Sequence, residues 1–137
     1  MENGTVDWKL EVVVLPVSDV DRAKRFYSEQ VGFVVDVDTR MGDNFRVVQM
    51  TPRGSACSVS IGQGLIDSAP GSVKGMQLVV ADLAAARAEL LERGVEVTPI
   101  RHVDNGTWVD GPGGAWNSFI FFNDPDGNAW TVQEKPQ

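Results

Sequence analysis

The sequence predicts an α+β fold of two paired βαβββ units, and three observations predict it. Ser118 to Trp130 read SFIFFNDPDGNAW, and Phe45 to Cys57 read FRVVQMTPRGSAC: in each, an apolar run, a Pro-and-Gly turn and a return. A run of strand-forming residues, then Asp, then an amphipathic helical stretch, then Gly, also occurs twice, ending at Gly32 and at Gly94. The offsets agree: Asp82 follows Asp19 by 63 residues and Gly127 follows Gly54 by 73, so the second copy carries ten more residues between its helix and its last hairpin. A duplicated unit of this kind closes around something, and the residues at equivalent positions indicate what.

Leu10 to Val17 (LEVVVLPV) is β-branched and continuous enough for a buried strand, and Asp19 stands where a side-chain oxygen caps a helix. Val20, Ala23, Phe26, Tyr27 and Val31 recur at helical spacing with charged residues between them, and Gly32 is the terminator. Phe33–Asp38, Phe45–Met50 and Ala56–Ile61 read as strands separated by turn-forming residues. Gly62–Lys74, rich in Gly, Ser and Pro, reads as a linker. The pattern restarts with a strand at Met76–Val80, a cap at Asp82 and a helix striped by Leu83, Ala86, Leu90 and Leu91. Strands are expected at Glu96–Ile100, Asn117–Phe122 and Ala129–Gln133, with Arg101–Ala115 as a long Gly-rich loop. The expected organisation is one domain over 1–137, with unit one at about 9–62, the linker at about 63–74 and unit two at about 75–134.

Composition narrows the function. At 137 residues the chain suits one domain, and 42% hydrophobic with 23% charged residues is ordinary for a soluble protein. No apolar run approaches a membrane span and the first residues do not read as a secretory leader, so a cytoplasmic location is expected. A net charge of -7 opposes nucleic acid and anionic membranes as partners. Cys57, the only cysteine, has no disulfide partner and is expected in the core.

Strand alternation sorts side chains onto two faces. Val12, Val14, Ser58, Ser60, Gln77, Thr131 and Gln133 fall on one that is small, neutral and polar, whereas Val13, Leu15, Val59, Ile61, Leu78, Trp130 and Val132 fall on an apolar one that should pack against the helices. The first face suits an uncharged organic ligand held by shape and hydrogen bonds, or else it bonds only to itself and water. Trp108 and Trp116 flank the Gly-rich insertion as candidates to stack on a flat ligand, while Phe119, Phe121 and Phe122 are expected mainly in the core. Arg46 is a candidate contact for an anionic group, or for a neighbouring carboxylate, with its facing undetermined. His102 is the only histidine, so a proton transfer near neutral pH that needs an imidazole must use it; solvated surface is the competing reading.

The VVVLPVSDVDRAKRFYSEQVGF opening, the DPDGNAW turn and strand, and the two βαβββ units together resemble the vicinal oxygen chelate superfamily, which includes glyoxalase I, bleomycin-resistance proteins and extradiol dioxygenases. The resemblance covers almost the whole chain. It implies a cupped, mostly antiparallel sheet around a cleft with the helices outside, and units that pair within one chain or between the two chains of a homodimer. In metal-dependent members, His and Glu ligands come from the first and last strands of each unit. At the matching positions this chain has Val12 and Gly75, seven residues before Asp19 and Asp82, and Ser58 and Thr131, four after Gly54 and Gly127. Hydroxyls do not hold zinc, nickel or iron against water, so no metal and no other cofactor is expected. The leading expectation is a metal-free protein that binds a small organic molecule. The alternatives are a metal-independent lyase, isomerase or cyclase acting on a carbonyl compound, with His102 as proton shuttle, and a metal-dependent glyoxalase- or dioxygenase-like enzyme.

Overall fold

A computed structural model describes residues 4–137; residues 1–3, and with them the start of the stretch read as lacking a leader, lie outside the described range. The first unit runs β1 (Val12–Val14), α1 (Val20–Arg25), a π-helical turn (Phe26–Val31), β2 (Val34–Arg40), β3 (Arg46–Thr51) and β4 (Ser58–Gln63). The second runs β5 (Met76–Val80), α2 (Leu83–Glu92), β6 (Arg101–Asp104), β7 (Thr107–Asp110), β8 (Phe119–Asn123) and β9 (Ala129–Glu134). The strands form two mixed sheets with no closed barrel, of order β1-β4-β3-β2 and β5-β9-β8-β6-β7. In each, the first strand lies parallel to the last and the remaining pairs are antiparallel. The fold is α+β, as the duplication predicts.

The two first-to-last pairings differ in register. Val12 lies opposite Ser58, which transfers by the repeat offsets to Gly75 opposite Thr131, but Gln77 occupies that place. The shift is two residues. An even slip leaves every side chain on its face, so the division into a polar and an apolar face survives it.

Both predicted helix caps form, Asp19 accepting from the Arg22 amide and Asp82 from the Ala85 amide, each at 3.0 Å. The first helix is not uniform, however. Beyond Arg25 it widens, and the amides of Gly32 and Phe33 both bond the Tyr27 carbonyl, at 2.9 and 2.8 Å. Phe26 and Tyr27, at the start of the widened turn, both enter the core.

Those two rings reach the other unit. Tyr27 and Phe33 meet Trp130 with ring centroids 5.8 and 5.7 Å apart, and Phe26 meets Phe122 at 6.2 Å. Leu15, Val48 and Ile61 from one unit and Leu83, Ile120 and Val132 from the other join the same buried cluster. The DPDGN turn fastens this junction. The Tyr27 hydroxyl donates to Asp124 Oδ2 at 2.7 Å and accepts from Trp130 Nε1 at 2.9 Å. The buried Asp124 also accepts from the amides of Asp126 and Asn128, both at 2.9 Å, and from Asn128 Nδ2 at 2.8 Å. Asn128 Nδ2 donates in turn to the Pro16 carbonyl at the end of the first strand segment, at 2.9 Å. Gly71 completes the seam: its φ is +79°, and a side chain there would strike the Asp126 carbonyl.

Four expectations need correction. Glu96–Ile100 forms no strand, because Pro99 has no amide to offer a ladder; the Thr98 amide alone reaches the Phe121 carbonyl, at 3.1 Å, and the ladder begins at Arg101. The segment expected as a loop, Arg101–Ala115, is mostly a hairpin of β6 and β7 turning at Asn105-Gly106, whose φ angles of 54° and 79° suit a tight primed turn. Asn-Gly between alternating residues was the signal that marked it. The first strand was read as Leu10–Val17, but only Val12–Val14 pairs, and Cys57 is half-buried just ahead of β4 rather than in the core.

Candidate functional site

Cross-strand register assembles a largely neutral face on the second sheet, with the charged Arg101 and Asp110 ending one of its rows. Gln77 lies opposite Thr131 and Thr131 opposite Phe121; Val79 lies opposite Gln133 and Gln133 opposite Phe119. Directly opposed residues share a face, so these six form two adjacent rows. The hairpin extends them: Trp108, opposite Val103, stands edge-on to both Phe119 and Phe121 with ring centroids 5.3 Å away. Trp108 is nevertheless 50% exposed, and Phe119 and Phe121 are half-buried. The alternation in SFIFFN carried this outcome: Ile120 and Phe122 fill the core, whereas Phe119 and Phe121, expected there, line the open face.

Amides order this face. Gln77 Nε2 donates to Gln133 Oε1 and Gln133 Nε2 donates to the Trp116 carbonyl, each at 2.8 Å. Trp116 sits at φ 61°, a left-handed conformation costly for a bulky residue, with its indole 53% exposed. An exposed aromatic held in a strained conformation by a side-chain bond is a feature that packing alone does not require. The rim carries the pair Arg101–Asp110, 3.4 Å apart.

The remaining candidates separate. Val12, Val14, Ser58 and Ser60 share a face of the first sheet with Thr51 and Gln49. Ser58 and Ser60 are buried, Ser58 Oγ lying 2.7 Å from Thr51 Oγ1, which also bonds Asp36. They therefore present little surface from a single chain. Hollows of about 230, 620 and 430 Å³ are also present, the first lined by Phe33, Pro52, Leu78, Val79 and Leu90, the second by Arg46 among others and the third reaching Phe121.

Arg46 points the other way. It is buried on the α1 side, with Nε and one terminal nitrogen on Asp38 at 3.0 and 2.9 Å and the other on Asp21 at 2.8 Å. Of its two sequence readings, geometry places it with neighbouring carboxylates. Hydrogen bonds from Arg46 and Lys24 hold the Asp38 carboxyl well below the usual carboxylate range. A depressed folded-state value stabilises the fold above the ordinary aspartate pKa, and this is lost as pH falls through the folded value. We expect Asp38→Asn to lower stability near neutrality by about 1–2 kcal/mol, with the deficit shrinking as pH drops below about 4. Urea unfolding across pH checks this; a deficit that stays constant would refute the ion-pair account.

His102 Nδ1 lies 2.7 Å from the Gly111 carbonyl. It pairs with Val109, so by alternation it stands on the side of the hairpin away from Trp108. Among the described residues no three His, Cys, Asp or Glu side chains gather closely enough to hold an ion. Val12, Gly75, Ser58 and Thr131, at the positions the resemblance implies for metal ligands, and Gln77 beside Thr131 form a donor set that does not fit zinc, nickel or iron.

Paired βαβββ and βαββββ units, each with its first strand parallel to its last, define a glyoxalase-type chain. The profile of the Glyoxalase/Bleomycin resistance protein/Dioxygenase superfamily matches residues 9–132, and the chain belongs to that family. Among solved structures it is similar to TnmS3, an antibiotic binding protein from Streptomyces sp. CB03234, with TM-score 0.76, 31% identity and coverage of 97% of this chain and 99% of that one. A glyoxalase/bleomycin resistance protein from the same organism has TM-score 0.71 and 34% identity over 91% of this chain and 99% of its own. The uncharacterized protein YetH of Bacillus subtilis (strain 168) is 23% identical over 127 residues, 92% of this chain and 98% of YetH. No helix among the described residues is long and apolar enough to cross a membrane.

Proposed function

We propose that this chain binds a neutral, flat organic molecule and holds it, without a metal ion, against the face formed by Trp108, Phe119, Phe121, Gln77, Thr131 and Gln133. The observation that carries the proposal is the half-exposed aromatic cluster beside an ordered amide chain. Rings supply stacking area and the amides fix orientation without a fixed charge. The similarity to an antibiotic binding protein at 31% identity supports the same class of ligand. In this reading the protein acts in the cytoplasm as a homodimer, in which a second copy closes a face that one chain leaves open.

Titration with a panel of planar natural products, followed by tryptophan fluorescence and calorimetry on protein purified without chelator, tests the proposal. Saturable binding with less than stoichiometric divalent metal is expected. Indifference to every compound by both methods, or a stoichiometric ion, would sink it.

The strain at Trp116 yields a separate expectation. Trp116→Gly removes a left-handed bulky residue and should leave thermal stability unchanged or raise it by up to about 1 kcal/mol, while ligand affinity falls. A loss of stability with affinity intact would show that the indole serves packing.

A further inference from the structure

The two units are not equally filled. On the apolar side of the first strand segment Leu15 is 1% exposed, whereas on β5 both Leu78 and Val80 remain half-buried. The helices account for the difference. Three and four residues beyond Ala23, Phe26 and Tyr27 enter the core; three and four beyond the matching Ala86, α2 carries Glu89 and Leu90. A carboxylate is not buried unpaired in the place of a phenyl ring, and the Glu89 side chain is 65% exposed. What remains is the hollow of about 230 Å³ between α2, β5 and the π-helical turn, walled by Phe33, Leu78, Val80, Leu90 and Phe122. None of the six residues of the proposed ligand face lines it.

The rim of this hollow is charged, and the charge has a sign. Arg53 on the β3–β4 turn and Arg93 at the end of α2 both border it, with Glu89 as the only carboxylate among its lining residues. Among the described residues the ion-paired arginines are Arg22, Arg46, Arg93 and Arg101, so Arg53 faces solvent without a carboxylate. Arg93 is held in place: the Gln30 side chain donates to its carbonyl at 3.0 Å, and its guanidinium lies across Gly32, where a Cβ would stand 3.1 Å from Nη1. Its one ion pair, with Glu89, is loose at 3.8 Å. Two guanidiniums against one carboxylate leave a positive rim on a chain whose net charge is -7.

We infer that this hollow is a second binding site, for a small organic acid whose ring or short chain enters between α2 and β5 while its carboxylate meets Arg53 and Arg93. Apolar walls take the body, and charge-assisted bonds to guanidinium reward an anionic head where a neutral one gains little. The volume lies below the roughly 300–1,000 Å³ of sites for drug-sized ligands, which restricts the body to about one ring. The neutral ligand face lies on the other side of β5, because Gln77 and Val79 alternate with Leu78 and Val80; Val79, on the unpaired edge, borders both. The inference therefore stands apart from the planar-ligand reading.

Calorimetry and amide-shift NMR of the full chain with phenylacetate and hexanoate, and with their neutral amides, test this. At least one acid should bind saturably and move the resonances of Gly32, Arg53, Ala86 and Arg93 while leaving those of Trp108 and Thr131 in place. Its amide should bind about tenfold more weakly or not at all. Arg53→Gln combined with Arg93→Gln, both exposed and outside the core, should weaken the acid by about tenfold or more, and Glu89→Gln should strengthen it by about two- to fivefold. Indifference to both acids, equal affinity for acid and amide, binding that survives loss of both arginines, or shifts confined to the Trp108 face would each overturn the inference. Acid binding that appears only on dilution would assign the hollow to contact with a second copy of the chain and overturns it as well. Such a failure leaves the planar-ligand reading standing, since that reading depends on Trp108 and not on Arg53 or Arg93.

Discussion

Asp124→Ala should lower the unfolding free energy by about 3–5 kcal/mol, from the buried donors it would leave bare, and the melting temperature by roughly 10 °C or more. Four donors converge on this one buried carboxylate: the Tyr27 hydroxyl, the amides of Asp126 and Asn128, and the Asn128 side chain. Removing it strands a phenol and an amide inside the seam between the units, and loosens the turn that places Asn128 on Pro16. Asp124→Asn should cost less but still destabilise, since one of its two groups would set an N–H against a donor. A change smaller than about 1 kcal/mol in the alanine variant would show that water replaces these bonds, and that the turn is not the fastener described.

The same seam has a signature at high pH. Burial, and then the Asp124 charge, push the Tyr27 phenol far above its ordinary value. A raised folded-state value means that the neutral phenol is favoured by folding, so its contribution is complete below pH 10 and is lost as pH rises beyond it. Tyr27 is the only tyrosine in the chain, which makes phenolate absorbance a report on this one residue. We expect no phenolate near pH 10 while the protein stays folded, and its appearance together with alkaline unfolding. Free titration of Tyr27 in the folded protein would contradict the buried geometry.

The second large effect concerns binding. Trp108→Ala should weaken a ligand found by the titration by about 30-fold or more, while costing the fold about 1 kcal/mol or less. Trp108 stands over Phe119 and Phe121 but is half exposed, so its removal opens the ligand face more than it empties the core. Val109→Ala, on the opposite side of the same hairpin, is the control and should leave affinity within about threefold. Equal losses in both variants would mean that the hairpin acts only as a whole, and that the indole has no direct contact.

The legible parts of the fold are those written in local chemistry. Asp19 and Asp82 cap their helices because a carboxylate one residue ahead of a helical stripe has amides to accept, wherever the helix then packs. The division between Ser58, Ser60, Gln77 and Thr131 on one face and Val59, Ile61, Leu78 and Trp130 on the other follows from a period of two. The hairpin at Asn105-Gly106 is written there too, although the glycines around it read as loop. Phe119 and Phe121 are obscured by composition: three phenylalanines in a row of four suggest core, although the period of two in SFIFFN sets these two opposite the buried Ile120 and Phe122.

By itself the sequence determined the duplicated plan of strand, helix and further strands, the caps and the alternation of faces, since each depends on residue type and spacing along the chain. Only the tertiary structure decided that Arg46 turns to Asp21 and Asp38, that the π-helical turn lays Phe26 and Tyr27 against Phe122 and Trp130 of the other unit, and that Gln133 bonds the carbonyl of the left-handed Trp116. The physical reason is the same in each case: local rules fix which way a side chain points from its own strand, whereas what it meets there depends on segments distant in sequence.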